Sequence, residues 1–246
     1  MEQAFCHKKY NKEEFVMKKM FCTAAGRFER RANGCGRSYP VIILGGKEYM
    51  VDLQEMVLWT ALNWRIVRRE EIPELYEKTC MGSDIVFDRP LDTCIERLLV
   101  RGLLVSGIGD TDYDAIYDLL SAMYIIPADG SFFLRLASFL KLTVFNHVPL
   151  AAAKRLFSRD RRTDRESQVM HLARQALLST AEIIKCVEKD IRYLPNEDSI
   201  MDQLYDDWET TSDNISYLVK SAPCSKAVTL AVANLYLRQQ IILERM

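Results

Sequence analysis

The sequence predicts a mainly α protein: a small α+β module with a β-hairpin, followed by a C-terminal helical bundle. Three observations carry that expectation. Apolar residues recur at three-and-four spacing through most of the chain after residue 52, the period of a helix buried on one face. A hydrophobic content of 49% with 27% charged residues is ordinary for a globular chain, and ten glycines with seven prolines are few for a loop-rich all-β protein. Clear hairpin chemistry is confined to the stretch from Tyr39 to Val51, where β-branched residues flank Gly45-Gly46.

The elements follow in order. Residues 1–37 are polar and basic with weak periodicity and read as an arm. Tyr39 to Leu44 and Lys47 to Val51 form the hairpin, turning at the glycine pair. Asp52 is an N-cap with Glu55 three residues on, a capping-box pattern, before Met56, Val57, Trp59, Leu62 and Ile66 mark a helix to about Val67. A shorter helix spans Glu70 to Cys80. Pro90 opens a third, with Leu91, Cys94, Ile95, Leu98 and Leu99 inward, which ends at Gly102. Leu103 to Ser106 fits a short buried strand, Gly107 to Asp112 a turn, and Tyr113 to Tyr124 another helix. Residues 131–157 are apolar and helix-compatible, and Lys154 to Arg165 is a basic run at a domain junction. A long helix through Val169 to Ile191, then helices over 200–220 and 225–244, complete the chain. This divides the sequence into a basic arm (1–37), an α+β module (38–127), a helical connector (128–167) and a C-terminal helical domain (168–246). No internal repeat is visible, which disfavours a solenoid.

The order hairpin, helix, helix, turn, helix, strand, glycine turn resembles the winged helix-turn-helix family over about residues 47–127, most closely in Ile95-Glu-Arg-Leu-Leu-Val-Arg-Gly-Leu-Leu-Val105. The resemblance implies a duplex-DNA partner, with the helix from Pro90 entering the major groove. Arg89, Thr93, Arg97 and Arg101 would then face bases and phosphates, and Arg65, Arg68 and Arg69 the backbone. Asp92 and Glu96 place acids on that face, the connector from Met81 to Arg89 is long, and the wing lacks Lys or Arg. The fold also serves modules that bind only proteins.

Charge and chemistry bound the rest. Net charge is −1, so there is no overall basic field, although residues 1–40 carry a basic excess and Asp190 to Asp213 an acidic one. The seven cysteines are odd in number and lack a CxxC pair, which fits a reducing cytoplasm. No export leader or membrane span is legible. Asp206-Asp207-Trp208-Glu209 could hold Mg²⁺ only with a second acidic cluster, and a solvated acidic face is the simpler reading. Asp110-Thr-Asp112-Tyr-Asp114 lacks the glycine and glutamate of a calcium loop. Cys6, His7, Cys22 and Cys35 could in principle make a tetrahedral zinc site, but their spacing is irregular and free thiols are the default reading, and His7, His147 and His171 sit in no catalytic motif. The expectation is a non-enzymatic cytoplasmic DNA-binding regulator needing no cofactor or metal, its C-terminal helices forming a homodimer or receiving a signal. The alternative is a protein-protein adaptor using the winged-helix or acidic helical surface.

Overall fold

The computed structural model describes residues 18–32, 34, 38–80, 87, 89–128 and 162–245. Among these residues the fold is mixed α/β, with three three-stranded antiparallel sheets where the sequence predicts a mainly α chain with one hairpin.

The first sheet centres on β1 (Lys19–Ala24), flanked by β5 (Val67–Arg68) and β6 (Leu104–Gly109). Residues 19–24 were expected in a basic arm. Phe21, Cys22, Thr23 and Ala24 are all buried, and a strand covered on both faces shows a short apolar run without the alternation that marks a half-exposed strand. The second sheet runs β2 (Arg27–Ala32), β3 (Ser38–Leu44) and β4 (Lys47–Met50), the last two forming the expected hairpin through Gly45-Gly46. Thus β2, like β1, occupies residues assigned to the arm.

Helices α1 (Leu53–Leu62), α2 (Ile72–Cys80) and α3 (Leu91–Val100) follow in the predicted order, with a 3-10 turn at Arg69–Glu71 before α2, but α1, expected to reach about Val67, ends at Leu62: Trp64 takes φ 56° and Val67 pairs with Cys22 as part of β5. The Asp52–Glu55 capping box is formed in full. The expected wing is not: β6 runs on to Gly109 and packs against α4 (Asp112–Ser121). A Cβ on Gly107 would lie 2.2 Å from the Ala115 carbonyl oxygen and the Leu119 nitrogen, so the glycines serve close helix-strand approach instead of a turn.

The C-terminal half is also no pure bundle. It contains β7 (Tyr124–Pro127), α5 (Asp164–Gln175), β8 (Leu178–Ser179), α6 (Thr180–Glu188), α7 (Glu197–Leu204), α8 (Ile215–Leu218), α9 (Ser225–Leu237) and β9 (Ile241–Glu244). β7 lies between β8 and β9 in the third sheet. The long helix predicted through 169–191 breaks where Ala176 becomes extended (φ −150°, ψ 157°), and the helix predicted over 225–244 stops at Leu237, just before Gln239 takes φ 58°. The helix predicted over 200–220 is interrupted between Leu204 and Ile215. The connector helix expected at 131–157 and the basic run through residue 161 lie outside the described residues.

One apolar core joins the halves, from Phe21 and Leu58 to Val232 and Leu243. Polar contacts fix the junction: Trp64 donates from Nε1 to the Ile241 carbonyl (3.3 Å), and Gly26 N donates to the Leu243 carbonyl (2.9 Å). No described helix is long and apolar enough to cross a membrane.

Candidate interaction surface

The start of α1 builds the centre of this surface. Asp52 caps the helix, accepting from Glu55 N (2.8 Å), while Glu55 Oε2 accepts from Asp52 N (3.1 Å). That reciprocal cap holds the Glu55 carboxylate at the positive end of α1, with its side chain only 2% exposed. A carboxylate so far from water needs compensation. Arg97 Nε donates to Oε1 (2.9 Å) and Arg101 Nη1 to Oε2 (2.9 Å), and Arg89 Nη1 lies 3.8 Å from Oε1.

Neighbouring contacts fix the same arginines further. Arg89 Nη2 donates to Asp52 Oδ2 (2.7 Å), and Gln54 Nε2 donates to the Arg89 carbonyl (2.9 Å). Arg101 also donates to the Met50 carbonyl, with its guanidinium carbon 5.8 Å from the Tyr49 ring centre. Partial burial pushes the Asp52 carboxyl up, but the Glu55 amide and the Arg89 guanidinium outweigh it and hold the group below the usual carboxylate range.

The structure therefore brings together Arg89, Arg97 and Arg101, but around an internal acid. The other predicted contacts are dispersed: Arg69 Nη2 donates to Asp92 (2.6 Å), and Arg68 shares Asp112 with Lys19 (3.3 and 3.0 Å). Arg65 and Thr93 are exposed, and Arg65 makes no ion pair among the described residues. Glu55 was legible as a cap partner. Its role as an arginine acceptor was not, because Arg97 and Arg101 reach it from a helix more than forty positions away.

Around the Arg101–Met50 contact the surface is apolar: Val100 is 89% exposed, Met50 71% and Leu53 55%. Among the described residues β4 pairs only with β3, which makes it an edge strand.

Elsewhere the acidic run has its own cations. Asp206 pairs with Lys189 (2.6 Å) and Asp207 with Lys185 (3.2 Å), tying the turn before α8 onto α6. The Thr210 hydroxyl, together with Lys185 and the Thr210 amide, outweighs desolvation and lowers the Asp207 carboxyl to about 2. No cluster of three His, Cys, Asp or Glu side chains able to hold a metal exists among the described residues. Cys22 is fully buried in β1, where burial pushes its thiol up to about 11. Cys6, His7 and Cys35 lie outside the described residues, as does His147. His171 lines an open cavity of about 370 Å³ with Asp164, Gln168 and Arg192.

Comparison with protein families, with curated proteins and with solved structures finds no match.

Proposed function

We propose that the chain is a non-catalytic adaptor that binds another protein through α3, the start of α1 and the edge strand β4. The observation that carries this reading is Glu55, a buried carboxylate that holds Arg97 and Arg101 and lies beside Arg89. Guanidinium groups committed to an internal acid are poorly placed to neutralise phosphates.

The winged-helix reading supplies the form: α1, α2 and α3 follow in helix-turn-helix order, and β1 fills the position beside β6 that a strand returning from a wing would take. Modules of that shape serve DNA and protein alike, so charge must decide. Here Asp52, Glu55, Asp92 and the exposed Glu96 interrupt the arginines, and no basic wing adds to them. The exposed Val100, Met50 and Leu53 beside an open strand edge suit an extended segment of a protein partner, held by main-chain hydrogen bonds and side-chain pockets. Cys22, Cys94, Cys186 and Cys224 form no disulfide, which supports the cytoplasmic placement. The half-exposed Arg97 and the exposed Arg65 favour duplex DNA as the second reading. A homodimer through the C-terminal helices draws support from Leu230 and Leu237, exposed on α9.

Fluorescence anisotropy with a random-sequence duplex, alongside an array of extended peptides, separates the readings. The adaptor reading predicts weak duplex binding that Arg97→Ala leaves unchanged, and array binding that falls about tenfold or more in Val100→Asp and Met50→Asp. Tight duplex binding that weakens steeply with salt and is lost in Arg97→Ala would overturn it.

A further inference from the structure

Two stretches of the chain follow one plan. β1, α1, β5, α2, α3 and β6 recur in order as β7, α5, β8, α6, α9 and β9, and in each set the first strand lies between the other two, antiparallel to both. The register is the same. Cys22 faces Val67 on one side and Ser106 on the other; Ile125 faces Leu178 and Leu243. Just past the central strand, Ala25 N donates to the Leu103 carbonyl (3.0 Å), and Ala128 N donates to that of Gln240 (2.9 Å).

The agreement extends to single side chains. Thr163 and Glu166 form the capping box of α5 as Asp52 and Glu55 form that of α1. At equal spacing beyond those caps, Glu182 Oε2 accepts from Ser179 N (2.6 Å) and Glu71 Oε2 from Arg68 N (3.1 Å). The buried helix positions Leu58, Trp59, Ala61 and Leu62 correspond to Val169, Met170, Leu172 and Ala173. Each last helix is capped by an arginine that reaches back to the buried glutamate of the first, Arg101 to Glu55 (2.9 Å) and Arg238 to Glu166 (3.2 Å). The next residue has positive φ in both, 72° at Gly102 and 58° at Gln239, closed by matching bonds from 102 N to the Leu99 carbonyl and from 239 N to the Tyr236 carbonyl.

A helix-strand packing motif can arise twice by chance; a shared register, two shared caps and a shared buried ion pair are not dictated by one another. We infer that residues 19–109 and 124–244 are two copies of one folding unit in tandem, and that Arg101 and Arg238 are its paired internal clamps. What the copies share belongs to the fold, and what differs is open to function. At the start and along the outer face of the last helix, Arg89, Thr93, Arg97 and Val100 correspond to Lys226, Leu230, Asn234 and Leu237, so the central pair Thr93 and Arg97 is replaced by the uncharged Leu230 and Asn234 in the other copy. The copies present two dissimilar surfaces. They also dock asymmetrically: the Tyr236 hydroxyl donates to the Ala24 carbonyl (3.0 Å) and accepts from Thr23 Oγ1 (2.8 Å) and Trp64 N (2.9 Å), whereas its counterpart Leu99 has no polar group to return the contact.

Exchange of equivalent segments within the full chain tests the duplication. Residues 67–72 are replaced by the sequence of 178–183, in register in one chimera and displaced by one residue in a control. Duplication predicts that the in-register chimera keeps near-ultraviolet circular dichroism and a single cooperative melting transition, and that the displaced one loses both. Reciprocal changes at the positive-φ site give a second readout: Gln239→Gly raises the melting midpoint and Gly102→Gln lowers it. An in-register chimera that unfolds like its control, or midpoints that fail to move in opposite directions at 102 and 239, overturns the inference.

Discussion

Glu55 and Glu166 occupy the same place in the two halves, yet their surroundings differ. Both oxygens of Glu55 accept from guanidinium groups and a third guanidinium lies near, whereas Glu166 accepts from Arg238 through Oε2 and leaves Oε1 buried without a hydrogen bond among the described residues. The difference separates what the architecture requires from what one half has added. Both halves carry an arginine at the end of the last helix; Arg97 and Arg89 join it around the glutamate in the N-terminal half, and Asn234 and Lys226 stand at their positions in the other. Arginines that a sequence reading assigns to a ligand are thus partly explained by an internal charge.

The largest expected effect breaks the comparison at its stronger side. Glu55→Ala removes the acceptor of Arg97 and Arg101 and the cap contact together, and is expected to cost about 3 kcal/mol, discounted for the exposure of Arg97. Glu166→Ala loses fewer partners and is expected to cost about 2 kcal/mol. Urea denaturation of the two variants ranks them.

Tyr236→Phe comes next. It strands the Ala24 carbonyl and Trp64 amide where the halves meet, at an expected cost of about 1–2 kcal/mol. Faster amide exchange should be confined to residues near β1 and the end of α1.

The smallest effect is the response to acid. Asp52 in one half and Asp207 in the other have lowered carboxyl pKa values, to about 2 for Asp207. A depressed folded-state pKa contributes stability that is complete above the unfolded value of 3.8 and is lost as pH falls through the folded one. The melting midpoint should therefore drop between about pH 4 and pH 2, and Asp207→Asn should flatten that drop.

The sequence reading succeeded where signals are local. The Asp52–Glu55 cap, the Gly45-Gly46 hairpin, the stop of α3 at Gly102 and the helix after Asp112 all stand in the structure because each is set by residues within a few positions of one another. It failed where partners are distant. β1 is too short and too evenly apolar to show alternation, β8 is a two-residue strand inside a helix-like apolar pattern, and the wing glycines serve packing against α4. The repeated plan was hidden for a related reason: the halves match mostly in residue class, as with Trp59 and Met170 or Asp52 and Thr163, and in identity only at scattered positions such as Glu55 and Glu166 or Arg101 and Arg238. Of the candidate surface, the residues on α3 were legible, and the acid that holds them was visible only as a cap.

A pair of double-mutant cycles in the full chain tests the common clamp most directly, pairing Glu55→Gln with Arg101→Met and Glu166→Gln with Arg238→Met. The account predicts a favourable coupling of about 1–3 kcal/mol within each pair and none between Glu55 and Arg238. Coupling in the first pair with none in the second would contradict it.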